Sequence, residues 1–297
     1  MELVGIKVRN FKVLRDVLVG LSWEDTQDIP LRKTTVLIGK NGTGKSTLIE
    51  SIKLISDIYK FGITKAIDIH GGSKFLRHID SPHKEIQITL YFRGGIDEHY
   101  SYQVSVGEDT NGKPIISGEI LKMHGWFIKD VYIGNSSENL LNGVSDNLTV
   151  LLTLKDILSN IKFIDCIGKR FDFEEVNSYK NASLVCIEHP ETGIYWGTLL
   201  NLISDLNTVD LTATVNTQFV VTTHSPAILS SAEPHDVWMF RSMTDNDYLT
   251  GENIKVRNVN VEYVREMFKS GAAEGEQNVL GCLWMEGVFD SVVFDDN

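Results

Sequence analysis

The sequence predicts an α/β fold with a mostly parallel central sheet and an antiparallel β-rich lobe. Three observations carry that expectation. A strand, a glycine-rich loop and a helix follow one another near the start; a stretch of period-two hydrophobicity comes next; and beyond Ser145 short apolar runs alternate with helical periodicity.

The elements follow in order. Residues 3–11 alternate around Ile6 and Val8, as a half-buried strand does, and residues 33–38 end in the apolar run Val36-Leu37-Ile38 of a second strand. After the glycine loop, Leu48, Ile52 and Ile55 recur at helical spacing. From 85 to 106 the period becomes two, with Ile86, Ile88, Leu90 and Phe92 on one side of Gly94-Gly95 and Tyr100, Tyr102, Val104 and Val106 on the other, an antiparallel hairpin. Residues 109–114 form a turn composition, and 115–123 read as the return strand. Helical period returns over 150–158; residues 170–180 are polar, a loop or frayed helix. Residues 182–187 read as a buried strand, 198–206 as a helix, and 218–223 and 237–240 as further strands. Without a repeat or a long linker, a single domain over 1–297 is expected, with lobe I over about 1–135 and a helical segment plus lobe II over 136–297.

Composition narrows the function classes. Acidic residues outnumber basic ones by 40 to 28, a net charge of -12, which argues against a protein that coats nucleic acid through general basicity. Lys7, Arg9, Lys12 and Arg15 form a local strip that reads either as a DNA contact or as a solvated strand face. The three cysteines, Cys166, Cys186 and Cys282, form no CxxC pair, so neither a disulfide framework nor a zinc site is suggested. No stretch approaches the roughly 20 apolar residues of a membrane span, and no basic segment leads into an apolar run at the N-terminus. A cytoplasmic protein without membrane contact is expected.

The chemistry begins in the loop Gly39-Lys40-Asn41-Gly42-Thr43-Gly44-Lys45-Ser46-Thr47, which satisfies G-x-x-x-x-G-K-[ST] at every fixed position. Gly39, Gly42 and Gly44 let backbone N–H groups turn inward around phosphate oxygens at the start of a helix. Asn41, Thr43 and Thr47 belong to the same cradle, Lys45 brings a charge for the β- and γ-phosphates, and the Ser46 hydroxyl suits Mg²⁺. The loop therefore predicts ATP binding. A metal-bound nucleotide also needs a carboxylate at the end of a neighbouring buried strand, and Glu188 closes the run Leu184-Val185-Cys186-Ile187. His224 directly follows a third apolar run and falls where a side chain reaches a γ-phosphate.

With these motifs in this order, the chain resembles the ABC-type ATPases of the RecF, SMC and OLD group, often labelled AAA-family ATPases with an ABC-like core. The segment 184–194, LVCIEHPETGI, is similar to the group's Walker B stretch, and 221–229, VTTHSPAIL, matches its switch-histidine segment. Residues 6–12 resemble the group's opening I-x-N-F-[RK] element, and residues 278–284 resemble its tail. The resemblance implies a P-loop NTPase fold of the ABC-type head kind, ATP and Mg²⁺ as ligands, and Ser46 and Glu188 at the metal. It implies catalytic roles for Glu188, His189 and His224, and places Asn10 and Phe11 near the nucleotide. It further implies a homodimer closed by ATP and a separate effector protein, in a setting such as phage defence or DNA maintenance.

Two departures bear on that picture. The signature segment reads Ser145-Asp146-Asn147-Leu148 without the expected glycine, and His189 stands where an acid would polarise the attacking water. Slow hydrolysis is the expectation; a different register makes Glu191 the water-orienting acid. A non-hydrolysing, ATP-bound scaffold is the alternative to a switch. No heptad run supports a long coiled-coil arm, and Asp290, Asp295 and Asp296 read as a polar tail rather than nuclease ligands.

Overall fold

The computed structural model describes the chain apart from residues 25–28, 79–84, 96–97, 125–128, 135–139, 142–148, 180, 209–215, 243–253, 260–278 and 286–297. The signature segment at 145–148 and the three aspartates at 290, 295 and 296 lie outside the described residues.

Two six-stranded sheets sandwich a long helix. The first is antiparallel throughout and runs in the order β2 (Leu14–Gly20), β1 (Glu2–Phe11), β4 (Ile86–Arg93), β5 (His99–Glu108), β6 (Pro114–His124), β7 (Lys129–Gly134). The second has the order β12 (Ile254–Asn258), β11 (Val237–Ser242), β3 (Thr34–Gly39), β10 (Gln218–Thr222), β9 (Leu184–Glu188), β8 (Ile161–Asp165). From β11 to β8 it is parallel, and only β12 runs against it.

Alternation decides which face each strand commits. In β4 and β5 the residues Ile86, Ile88, Leu90, Phe92, Tyr100, Tyr102, Val104 and Val106 all join one core, as their period of two requires. The parallel strands are buried on both faces, which is why they read as continuous apolar runs. Leu37, Cys186, Val220 and Trp238 face α1 (Lys45–Phe61), whereas Val36, Val185, Ile187, Val221 and Met239 face a second core on the far side. Leu48, Ile52 and Ile55 of α1 fill the space between the sheets. Near one end of the sandwich, the Gln218 side chain accepts from Leu3 N (2.7 Å) and donates to Leu3 O (2.9 Å), joining β10 of one sheet to β1 of the other.

The second core is closed by short helices. A single helix over 198–206 was expected; the chain instead forms α6 (Trp196–Leu199) and α7 (Leu202–Thr208). Asn201 N bonds to Thr198 O, three residues back, so the turn tightens there and the helix axis restarts. The remaining helices are α2 (Ile63–Ile69), α3 (Ser73–Leu76), α4 (Thr149–Ser159), α5 (Phe173–Ser178), α8 (Pro226–Ser230) and α9 (Val279–Met285). Among the described residues no helix is long and apolar enough to cross a membrane.

Candidate functional site

The site is built at the C-terminal ends of three adjacent parallel strands, β3, β10 and β9. β3 runs straight into the glycine loop. Gly39, Gly42 and Gly44 all have positive φ (143°, 81° and 93°), conformations that L side chains rarely adopt. At Gly39 a Cβ would also overlap the Phe240 carbonyl oxygen, so both backbone angle and space demand glycine.

Gly44 is the N-cap of α1, with no side-chain cap and no acidic residue in the first turn. The first N–H groups of a 17-residue helix and the positive end of its dipole therefore face the loop without a side-chain acceptor. Thr43 Oγ1 donates to Lys40 O (2.8 Å) and stiffens the loop from within. Lys45 is buried, its ammonium donating to Gly39 O (2.7 Å) and Lys40 O (2.9 Å). Burial pushes its pKa down to about 8, opposed by the negative charge of Glu191. A cation in such surroundings gains from an arriving anion, and the uncapped helix end supplies the matching donors.

Glu188 closes β9. Burial pushes its carboxyl above the usual range; the Ser46 hydroxyl bond opposes this, Asp165 adds to it, and His189 opposes it. Asp165 pairs in register with Glu188 from the end of β8, and it escaped the reading of the sequence. A hydroxyl bonded to one carboxylate, with a second carboxylate on the next strand, is an oxygen set that suits a hard divalent cation.

After Glu188 the chain turns sharply. His189 has φ 53°, in the left-handed region that histidine tolerates better than most residues, and its N–H bonds back to Thr222 O (3.1 Å). This turn brings Glu191 against the segment following β10. One Glu191 oxygen accepts from Thr223 Oγ1 (2.8 Å); the other accepts from His224 N (3.0 Å) and lies 3.4 Å from His189 Nδ1. Both oxygens are thus engaged by the segment after β10. The His189 and His224 rings lie nearly parallel, 11° apart with centroids at 5.5 Å. His224 O accepts from Trp284 Nε1 (3.2 Å) on α9, the segment whose sequence resembled the group's tail. Its ring Nε2 is buried without a hydrogen-bond partner, as is the nearby Thr222 Oγ1. Burial, with the neighbouring Lys45 and His189 side chains, holds the His224 pKa below its usual value, opposed by Glu191. A groove of about 360 Å³, lined by Glu191, Ile194, Trp196, Leu199, His224 and Ser225, gives solvent access beside it.

Asn10 and Phe11 are placed differently from the other expected residues. Phe11 is wholly buried in the first core, and the Asn10 amide donates to Glu85 O (2.9 Å) and accepts from His78 N (3.1 Å). Neither side chain is presented to a ligand. They shape the turn that follows β1, where Lys12 bonds to Glu50 of α1 and Leu14 packs against Gly44.

The protein-family comparison matches residues 1–183 to the AAA ATPase domain model. The chain belongs to the AAA ATPase domain family. The match contains the whole phosphate loop of this AAA ATPase domain and stops one residue before β9, so Glu188 and His224 stand on geometry and motif. Among curated proteins, the domain is 32% identical over 69 residues to the phosphate import ATP-binding protein PstB of Colwellia psychrerythraea, which covers 23% of this chain. The match spans only 25% of the length of that relative. Among solved structures, the SMC head domain from Thermotoga maritima aligns at TM-score 0.44 and 14% identity, covering 88% of this chain and 100% of that one. The SMC head bound to the C-winged helix domain of ScpA aligns at 0.49 and 12%, covering 90% and 100%. With scores below 0.5, the ABC-type head architecture rests on the strand order, the loop and the two sheets of this chain itself.

Proposed function

We propose that this AAA ATPase domain binds ATP with Mg²⁺ in the Gly39–Thr47 loop, hydrolyses it slowly, and uses nucleotide state to close a homodimer that controls a separate effector protein. The observation that carries the reading is the convergence of Lys45, of Glu188 bonded to Ser46, and of His224 at the ends of three neighbouring strands. In this reading the loop N–H groups and Lys45 bind the phosphates, and Ser46 with Glu188 holds the metal. A bound Mg²⁺ would supply charge neutralisation of the phosphates. In this reading His224 lies beside the terminal phosphate, and its backbone is held by Glu191 before any ligand arrives.

Slow turnover follows from His189, an imidazole where an acid would orient water. The same residue supports the second reading, an ATP-bound scaffold without turnover. Phosphate release from radiolabelled ATP separates the two: wild type should exceed both Lys45→Ala and Glu188→Gln, and equal rates in all three would sink the hydrolytic reading. Sizing the wild type with and without ATP tests dimer closure, with an ATP-dependent doubling of mass expected. DNA binding has weak support, since Arg9 is paired with Asp16 at 3.0 Å and the basic strip is interrupted there.

A further inference from the structure

Glu191 is the most heavily bonded side chain in the site, yet neither the phosphate loop nor the metal pair requires it. Its carboxylate gathers three residues from two loops. Thr223 Oγ1 (2.8 Å) and His224 N (3.0 Å) come from the segment after β10, and His189 Nδ1 (3.4 Å) from the turn after β9. Thr223 Oγ1 in turn accepts from Ser225 N (2.9 Å), so the chain 223–225 is fixed at each residue. The His189 ring that Glu191 faces is the one against which the His224 ring lies parallel. Glu191 thus governs His224 twice, through its backbone and through the ring beside it. Its negative charge is also felt by Lys45.

We propose that Glu191 is a positioning residue that holds His224 in register with the phosphate loop, so that the site reads the terminal phosphate through a pre-set imidazole. The proposal rests on the ATPase reading above. Without Glu191 the His224 N–H and the Thr223 hydroxyl lose their acceptor, and the segment 223–225 is held by fewer bonds, among them Thr223 N to Leu37 O and Trp284 Nε1 to His224 O, so the His224 ring should shift by about 1 Å. The phosphate cradle of residues 39–47 keeps all its own bonds.

The test compares Glu191→Ala with Glu191→Gln. In Glu191→Ala, kcat should fall about 100-fold, the scale of a misplacement of about 1 Å. ATP affinity should be kept or raised, because a negative charge near the phosphates has gone. Glu191→Gln retains an oxygen to accept from His224 N and should recover turnover to within about tenfold of wild type. A purely structural residue would lower affinity, turnover and melting temperature together, with glutamine no better than alanine, and that pattern overturns the proposal. So does a Glu191→Ala protein with wild-type kcat. Should the wild-type chain bind ATP without turning it over, the ATPase reading falls and imidazole NMR decides this one. The His224 ring signal, assigned by its loss in His224→Asn, should shift on adding ATP in wild type and in Glu191→Gln, and should broaden or stay put in Glu191→Ala. An identical shift in all three, or no ATP binding by wild type, refutes it.

Discussion

Lys45 offers the sharpest quantitative expectation, because its surroundings change sign when phosphate arrives. In the nucleotide-free protein its pKa is about 8, set by burial and only partly offset by Glu191. Bound phosphates would stabilise the ammonium and raise that value again. ATP therefore prefers the protonated lysine, and binding takes up a proton wherever the free protein has lost it. About nine-tenths of the free protein carries the charge at about pH 7 and about one-tenth at about pH 9, so apparent Kd should rise about tenfold between them, or ~1.4 kcal/mol. The terminal phosphate of ATP is essentially ionised across this range and contributes little to the slope.

Titration with a fluorescent ATP analogue at several pH values measures it, and Lys45→Arg is the control. A guanidinium stays charged throughout, so that variant should bind with a flat pH profile whatever its absolute affinity. Lys45→Ala should be flat as well and weaker by about 1.5–3 kcal/mol, the worth of a charged hydrogen bond. Linkage to folding runs the other way. The folded pKa is depressed from 10.5, so the unfolded chain binds more protons between about 8 and 10.5, and the contribution of Lys45 to nucleotide-free stability should rise across that interval. A wild-type Kd that stays within about twofold over the range, or a Lys45→Arg slope equal to wild type, refutes the assignment of Lys45 as the buried phosphate cation.

Other expectations follow from the same geometry. Gln218→Ala leaves Leu3 N and O without their partner between the sheets and should cost about 2–6 kcal/mol by urea unfolding, counting about 1–3 per buried group. Gly39→Ala meets both a positive φ and the Phe240 carbonyl, and should abolish nucleotide binding and lower the melting temperature strongly, whereas Gly42→Ala, with open space around it, meets only the strain of its positive φ, about 1–2 kcal/mol, and should bind more weakly with a smaller loss of melting temperature. Glu119 is fully buried, accepting from Tyr102 OH (2.5 Å) and Leu141 N (2.9 Å), and burial raises its pKa. A raised carboxyl binds protons more tightly in the folded state, so the wild type loses stability as pH rises from the normal carboxylate range toward the folded value. Glu119→Gln should remove that loss and melt higher at neutral pH; an unchanged pH profile of melting would contradict it.

The parts of the fold that read clearly in the sequence are those where one local signal suffices. β3, β9 and β10 are buried on both faces, so burial writes an unbroken apolar run, and a polar group at the end of each run marks the sheet edge where ligands gather. That is why Glu188 and His224 were visible. β2 and β12 are edge strands, their runs broken by Arg15 and Asp16 in one and Lys255 and Arg257 in the other. β8 hid for another reason: α4 ends at Ser159 and β8 begins at Ile161, and the five residues Ile161–Asp165 carry two lone polar residues among apolar ones, too short a run to stand out beside the helix. Asp165 was lost with it. The bonds of Glu191 to Thr223 and His224 and of Trp284 to His224 O join residues 32 to 60 positions apart, and no local pattern encodes them.

His189 gains a physical rationale from its setting. Its left-handed φ costs a glutamate about 1–2 kcal/mol, whereas histidine is among the residues found there more often. An acid at 189 would also crowd a third carboxylate between Glu188 and Glu191, with Asp165 close by on the next strand. An imidazole in the same place eases ionisation of the Glu188 carboxyl and faces Glu191 through Nδ1. In the proposed reading, what is given up is an ionised acceptor for the attacking water; what is kept is some relief of the burial that raises the Glu188 carboxyl, and a Glu191 that holds the segment of His224. Under the function proposed above, that balance would favour the bound state over turnover, as a switch whose signal is occupancy requires.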